Sequence, residues 1–368
     1  MGEAGRSPWN ELGISGGEWA RILVLYGLIA TATVVAFALT LSLGKLYPLL
    51  GAWGVLAFVL GLRHGVDVDH IAAIDNTTRK LLQEGKRPLT VGTWFSLGHS
   101  TVVVGLMVAI VVTYGALTTL LPALQSVGGI VGTLVSGAFL WIIGIVNVVI
   151  VVEIYLIFRR VRAGELDPGD LEDQLSKRGF LNRYFGRFFR VVEKPWQIYP
   201  IGLLFGLGFD TESQVAVLGL GPLGISSHIP LVDLLLLPVM FTCGMVAVDT
   251  TDAVAMRVAY GWAFWHPVRK IYYNLTFTVI SVLVAFVIGG VELLAVLSTE
   301  LGLSGGVWAF FYTLNSGSSF EYLGYAIIGL FLVCWLVAMG LYRLQGYERT
   351  SFVRPPPAIL PSTEPEAA

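Results

Sequence analysis

Apolar residues along this chain fall into long runs that are separated by short polar segments. A bilayer core of about 30 Å is crossed by about 20 helical residues, and uncharged or nearly uncharged runs of that length recur along the whole sequence. The pattern predicts an all-α integral membrane protein, a bundle of about eight transmembrane helices. The predicted spans cover residues 22–43, 50–74, 91–115, 129–158, 198–220, 231–255, 270–298 and 322–343.

The composition agrees with a membrane protein and excludes several other classes. Of the 368 residues 55% are hydrophobic and 13% charged, and the mean hydropathy is +0.75, which is too apolar for an ordinary soluble domain. The net charge of -2 provides no basic field for nucleic acid. Cys243 and Cys334 lie in separate apolar stretches, so we expect neither a disulfide nor a thiolate metal site.

The distribution of Lys and Arg predicts the orientation. Every basic residue except Lys45 and Arg63 falls in the two tails, in the segments 79–90, 159–197 and 256–270, or, for Arg343, at the end of the last span next to the tail. Because cytoplasmic loops are rich in Lys and Arg, both termini are predicted to be cytoplasmic and the chain to lie in the cell membrane as a multi-pass protein. The chain is predicted to have three parts. Residues 1–21 form a cytoplasmic N-terminal segment, and residues 22–343 form a transmembrane transport domain, whose cytoplasmic loop 159–197 is partly helical. Residues 344–368 form a disordered cytoplasmic tail.

Ionisable residues concentrate in four of the predicted spans, where each charge is expected to lower the stability of insertion by about 2.5–3.5 kcal/mol. Such residues therefore point to a function. They predict a polar inner wall that forms an ion pathway. The second span and its end contain Arg63, His64, Asp67, Asp69, His70, Asp75 and Asn76, the third contains His99, the fifth Asp210 and Glu212, and the sixth Asp249 and Asp252.

Helical spacing sharpens the interpretation of the stretch "LRHGVDVDHIAAIDNTTRK". His64, Asp67 and His70 follow one another at intervals of three and share one face of a helix, whereas Asp69 points elsewhere. Imidazole and carboxylate groups suit a divalent cation such as Ni²⁺, Co²⁺ or Zn²⁺. In an unbroken helix the two histidines are about 9 Å apart, too far to ligate one ion comfortably. Either the helix unwinds near Gly65, or the histidines serve successive positions.

Structural roles for the same residues remain open at this point. His99 fits equally well as a buried core histidine and as part of a pathway. Asp249 and Asp252 share a helix face and could attract cations, or could neutralise Arg63 and Arg257.

The sequence motifs indicate which energy source could drive ion transport. The chain has no GxxxxGK[ST] loop, so we expect neither ATP hydrolysis by the chain itself nor an obligate ATPase subunit. A divalent cation gains about 4.6 kcal/mol from a membrane potential of 100 mV, which is enough to drive its entry.

Four segments resemble signature motifs of the nickel/cobalt transporter family of single-chain, eight-span permeases. They are "RHGVDVDHIAAIDNTTRK", "FSLGHSTVV", "LGFDTESQV" and "GMVAVDTTDAVAMRVAYGWAF", in that order. The resemblance implies a secondary transporter for uptake of Ni²⁺ or Co²⁺, with no permanent cofactor and no enzymatic activity. It assigns metal recognition to His64, Asp67, Asp69 and His70. Where the family usually has small residues before a glutamate, this chain has Glu212, Ser213 and Gln214.

Three alternatives compete with uptake. Efflux of the same metals would use the same ligands, although the chain lacks a His-rich cytoplasmic loop. An intramembrane metal-dependent hydrolase would use His and Asp around an ion to activate water. A non-transporting metal sensor is the third, and no soluble signalling domain supports it.

Overall fold

The computed structural model describes residues 15–113, 121–162, 192–208, 212–263, 267–315 and 317–344. These residues form helices and turns without a strand, so the predicted all-α class is confirmed for them. Short 3-10 turns at Pro195–Ile198 and Asp233–Leu235 precede α6 and α8. The α-helices are α1 (Gly16–Gly44), α2 (Pro48–His64), α3 (Val68–Gln83), α4 (Val91–Val112), α5 (Leu121–Arg162), α6 (Tyr199–Gly206), α7 (Glu212–Ser226), α8 (Leu236–Ala263), α9 (Pro267–Glu300), α10 (Gly306–Leu314) and α11 (Gly317–Leu344).

Five stretches of the described residues are long and apolar enough to cross a membrane, and a sixth candidate is the bent pair α2 and α3. The predicted fifth span corresponds to two short helices, α6 and α7, of 8 and 15 residues. Within α11 the apolar stretch runs from Tyr322 to Cys334. The five single spans are Gly16–Gly44, Val91–Val112, Ser126–Val152, Asp233–Ala259 and Thr278–Glu300.

Several predicted segments fall partly outside the described residues. The N-terminal segment is described only from Ser15, whose side chain caps α1 in a capping box with Glu18, so α1 begins before the predicted residue 22. The loop 159–197 is described up to Arg162 and from Val192, and the tail only at Leu344. Of the described residues, those up to Gly329 belong to one compact unit and those from Leu330 to a second.

The predicted second span, residues 50–74, is not one helix but two. Helices α2 and α3 meet at an angle of 54°. At the junction Asp67 is extended, with φ -60° and ψ 141°, which ends the helical hydrogen-bond ladder and lets α3 start at Val68. Gly65 itself keeps a right-handed helical conformation, with φ -64°. A Cβ atom there would overlap Val248 of α8, so Gly65 serves close packing rather than an unusual backbone angle.

Helix α3 is buried along almost its whole length, although it carries many polar residues. It packs against α4, α5, α8 and α9. The assignment of Arg79 and Lys80 to a loop was wrong, because both lie within α3 and are 1% and 0% exposed. Their charges are compensated locally: Arg79 pairs with Asp75, while the ammonium of Lys80 lies 2.5 Å from the Val192 carbonyl oxygen and 2.9 Å from Glu84 Oε1.

Glycines bring α4 into backbone contact with its neighbours. A Cβ atom on Gly92 would overlap the carbonyl of Asp249 in α8, and one on Gly98 would overlap the carbonyl of Tyr199 in α6. Small residues allow membrane helices to approach closely, and van der Waals packing then stabilises the pair. The close contacts of α4 with α6 and α8 set the depth and rotation at which α4 presents its side chains to the interior.

A Gly92→Ala variant is expected to be destabilised by about 1–3 kcal/mol, because overpacking forces the α4 and α8 backbones apart. Gly105→Ala is the matched control on the same helix, since its new Cβ atom would meet nothing within 4 Å. Thermal unfolding of both variants in detergent measures the difference. Equal melting temperatures for the two variants would show that the contact of α4 with α8 is looser than described.

Candidate metal centre

Three histidine side chains converge at the junction of α2 and α3. His64 is the last residue of α2, His70 lies in the first turn of α3, and His99 projects from α4. Each is at most 2% exposed, and one ring nitrogen from each can be chosen so that the three lie within 4.8 Å of one another. The ring centroids of His64 and His70 are 4.6 Å apart, so the helix break removes the separation that an unbroken helix would impose.

The nitrogen atoms of His64 and His99 are already spaced for one ion. Their Nε2 atoms are 2.9 Å apart and share a hydrogen bond, in which the tautomers decide which ring donates. Two nitrogen ligands bound at right angles to a metal, with bonds of about 2.1 Å, are about 3.0 Å apart. A right-angled arrangement is typical of the tetragonal and octahedral geometries of first-row divalent metals such as Ni²⁺.

Carboxylates behind His64 and His70 favour the ring tautomer that a metal requires. His64 Nδ1 lies 2.8 Å from Asp67 Oδ2, and His70 Nδ1 lies 3.3 Å from Asp249 Oδ2. A carboxylate beside Nδ1 favours a proton there and leaves a lone pair on Nε2, as is usual behind metal-ligating histidines. His70 Nε2 is buried and makes no hydrogen bond with any described residue, which leaves it available for a cation.

Gln214 of α7 is buried, and its amide nitrogen donates to the Gly206 carbonyl at 2.9 Å. Its carbonyl oxygen and the Nδ1 atom of His99 are both buried without a hydrogen-bond partner among the described residues. Gln214 therefore does not support the ring of His99 as the carboxylates support the other two rings.

Asp249 connects the centre to α8 and α4. Its Oδ2 atom accepts a hydrogen bond from the Ser96 hydroxyl as well as facing His70. The other oxygen, Oδ1, is buried without a hydrogen-bond partner among the described residues and faces Gly65 at the helix break. A fully buried carboxylate needs compensating positive charge, which a bound cation would supply.

Aromatic rings close the centre from two sides. The ring of Phe241 lies 5.4 Å from that of His64, and the ring of Phe95 lies 4.8 Å from that of His70. Apolar walls exclude water and lower the local dielectric constant, so ligand and counter-charge interactions are stronger there than in solution. The arrangement can hold a dehydrated cation rather than a freely hydrated one.

The predicted recognition residues occupy two layers. Among the described residues, the ligand atoms that converge belong to His64, His70 and His99, while Asp67 lies behind His64. Asp69 uses Oδ1 to accept the backbone N–H of His70 at 2.9 Å. Thus both histidines of the predicted set lie in the cluster, and His99, whose role was open, joins them.

The predicted pathway residues are distributed more widely. Arg63 is half-buried beside His64, and Asp252 is partly buried one helical turn from Asp249. Asp75 pairs with Arg79, and the amide nitrogen of Asn147 donates to Asn76 Oδ1 at 2.8 Å. Asp210 lies outside the described residues; Glu212 begins α7, but its side chain is outside them as well. Arg257, one suggested partner of the aspartates, forms an ion pair at 3.0 Å with Glu18.

Sequence reasoning missed three side chains that the structure makes important. Ser96 contacts the centre, and Arg79 was placed in a loop. Glu292 of α9 is a buried carboxylate that accepts a hydrogen bond from Ser136 of α5 at 2.9 Å. The spacing of Ser96 and His99, three residues apart, was a usable signal for a shared helix face.

Comparison with known proteins places the chain in a single family. The family profile described as "NicO: High-affinity nickel-transport protein" matches residues 50–341. A high-affinity nickel transport protein of Cupriavidus necator is 45% identical over 330 residues, covering 89% of this chain and 93% of the relative.

Two further relatives carry different metals in their names. The nickel transporter NixA of Staphylococcus aureus is 43% identical over 315 residues, covering 86% of this chain and 92% of the relative. The cobalt transport protein NhlF of Rhodococcus rhodochrous is 37% identical over 346 residues, covering 90% and 96%. No solved structure gave a significant match to the chain.

Proposed function

The chain belongs to the high-affinity nickel-transport protein family, and from that premise we propose that it is a secondary permease that admits Ni²⁺ and Co²⁺ to the cytoplasm. The observation that carries the proposal is the convergence of His64, His70 and His99 in a buried, aromatic-walled centre. Imidazole donors suit both metals, and the absence of thiolates from this cluster fits a site that releases its ion again.

We assign direct ligation to the three histidines and supporting roles to the carboxylates. Asp67 and Asp249 hold the rings of His64 and His70, and Asp69 fixes the first turn of α3 through the backbone of His70. An arriving ion exchanges water for imidazole nitrogen, and the negative charge behind the rings compensates for the lost hydration. The remaining coordination positions stay with water or a carboxylate oxygen.

The proposed topology has eight crossings with both termini in the cytoplasm. The bent pair α2 and α3 supplies the second crossing, and α6 with α7 supplies the fifth. This arrangement keeps the orientation predicted from the positive-inside rule. Arg79 and Lys80 are now assigned to α3, but the other basic residues of the loops and tails still lie on the cytoplasmic side. A broken helix at the substrate is a recurrent feature of secondary transporters, where it exposes backbone and side chains to the ion at mid-membrane.

Two observations favour transport over hydrolysis. The histidines are at most 2% exposed, and aromatic rings cover two sides, so a bulky substrate has no evident approach to a metal-bound water. The carboxylates of α3 and α8 extend away from the histidines, as an ion route requires, instead of gathering at one reacting position. We therefore propose no enzymatic activity and no permanent cofactor.

Uptake of radioactive Ni²⁺ and Co²⁺ by cells that lack their own high-affinity system tests the proposed function and its direction. Expression of the chain is expected to increase accumulation of both ions, and each ion is expected to inhibit entry of the other because they share one centre. Lower accumulation together with greater metal resistance would instead indicate efflux.

A further inference from the structure

A second charged group is buried in α3, beyond the histidine centre. The Nη2 atom of Arg79 lies 3.0 Å from Asp75 Oδ1 and 3.3 Å from Oδ2, and the two residues are at most 1% exposed. Replacing a buried ion pair by apolar residues of similar volume is often neutral or stabilising. Structural stability alone is therefore a weak reason for an arginine and an aspartate at this depth.

Carboxylates lead from the histidine centre to this pair. Asp249 faces His70, and Asp252 stands one turn farther along α8. Helix α8 packs against α3, which carries Asp75, and the Oδ2 atom of Asp252 is buried without a hydrogen-bond partner among the described residues. We call Asp249, Asp252 and Asp75 the carboxylate series. It lies on the two packed helices that hold the metal centre and the guanidinium of Arg79.

The guanidinium shows that Asp75 binds a cation in this conformation. The single positive charge of Arg79 is paired with one carboxylate of the series. A divalent cation at the same place would have about twice the Coulomb attraction to that carboxylate, because the attraction scales with charge. Arg79 lies one turn before the end of α3 at Gln83. The dipole of that helix end favours a cation, so it offers the displaced guanidinium a second position.

From this geometry we propose that Asp75 is a second binding position for the transported metal ion, and that Arg79 occupies it when the metal is absent. The inference rests on the proposed transport function and adds a step to it. An ion leaving the histidines moves along the carboxylate series to Asp75 and displaces Arg79. Return of the guanidinium to Asp75 then competes with the ion and promotes its release.

The decisive variant is the double substitution D75N/R79Q, which removes both charges together and leaves no unpaired buried charge. In proteoliposomes with radioactive Ni²⁺, uptake is expected to fall about a hundredfold, in the range expected when a buried charge interaction is lost. Nickel binding by the purified protein is expected to persist, because the three histidines are unchanged. The matched control is E18Q/R257Q, which neutralises the buried pair between α1 and α8 and should leave uptake close to wild type.

Two further variants keep the test independent of folding. The exchanged pair D75R/R79D retains both charges but moves the carboxylate by one turn, so transport is again expected to fail. In R79Q the carboxylate keeps its charge without its partner, and added Ni²⁺ should raise the melting temperature more than it does in wild type.

The outcomes separate this proposal from the proposed function. If wild-type protein transports nickel and D75N/R79Q or D75R/R79D does so at the wild-type rate, the pair is structural and the second binding position is refuted. If wild-type protein itself moves no nickel, the transport function fails first. Nickel uptake by wild type and by E18Q/R257Q, together with loss of uptake in both Asp75–Arg79 double variants while they still bind nickel, would support the proposal.

Discussion

A His64→Ala variant is expected to insert and fold normally but to lose nickel uptake by at least about a hundredfold. His64 is the shared member of the centre: its ring is 4.6 Å from that of His70 and 4.6 Å from that of His99. Its removal eliminates one of three nitrogen donors and leaves Asp67 without the imidazole that it faces. Since changes in groups that merely support metal ligands reduce affinity by about 10–100-fold, loss of a ligand should have a larger effect.

The same measurement on His70→Ala and His99→Ala tests whether the three rings act together. Radioactive nickel uptake should be lost in each variant, while the amount of folded protein in the membrane stays near wild type. His228→Asn is the control, because His228 is exposed and has a positive φ of 60°, which asparagine tolerates. Full uptake in His99→Ala would remove α4 from the centre and restrict ligation to the broken helix.

Asp249→Asn is expected to weaken nickel binding by about 10–100-fold while preserving shape. The substitution removes the negative charge that faces His70 Nδ1 and supports the tautomer with a free Nε2 lone pair. Ser96 and His70 both contact the Oδ2 atom, so an amide that places its oxygen there can still accept from both while the negative charge is lost. Isothermal titration of the purified protein with Ni²⁺ measures the affinity directly.

Ser96→Ala separates charge from orientation in this interaction. It removes only the hydroxyl that donates to Asp249 and leaves the carboxylate in place, so its effect on nickel affinity should be smaller than that of Asp249→Asn. Equal effects of the two substitutions would show that the position of the carboxylate, rather than its charge, is the essential property. Unchanged affinity in Asp249→Asn would contradict its assigned role behind His70.

Hydrophobic periodicity was sufficient for the helical class and for several helix positions, because long apolar runs have few other stable arrangements in lipid. It was insufficient at α2 and α3. The run continues across the junction, and the break depends on Asp67 adopting an extended backbone while α8 packs against Gly65. No local pattern indicates that combination, although the spacing of His64 and His70 on one straight helix made a break in the helix one of two alternatives.

Part of the candidate site could be predicted from the sequence for a similar reason. Ionisable residues are rare within apolar runs and indicate a function there. His64, Asp67, His70 and Asp249 could therefore be selected as site residues from the sequence. The partnership of His99 with His64 depends on a contact between distant segments. Arg79 was misplaced because a charged residue at the end of an apolar run is normally at the membrane surface, whereas here Asp75 compensates it inside.

X-ray absorption spectroscopy of the nickel-loaded protein tests the central claim most directly, since it reports which atoms surround the ion. We expect a nitrogen-rich first shell with the outer-shell scattering of imidazole rings, and a stepwise loss of that scattering in His64→Ala, His70→Ala and His99→Ala. A first shell made only of oxygen, or imidazole scattering that all three substitutions leave unchanged, would contradict a metal centre at the break between α2 and α3.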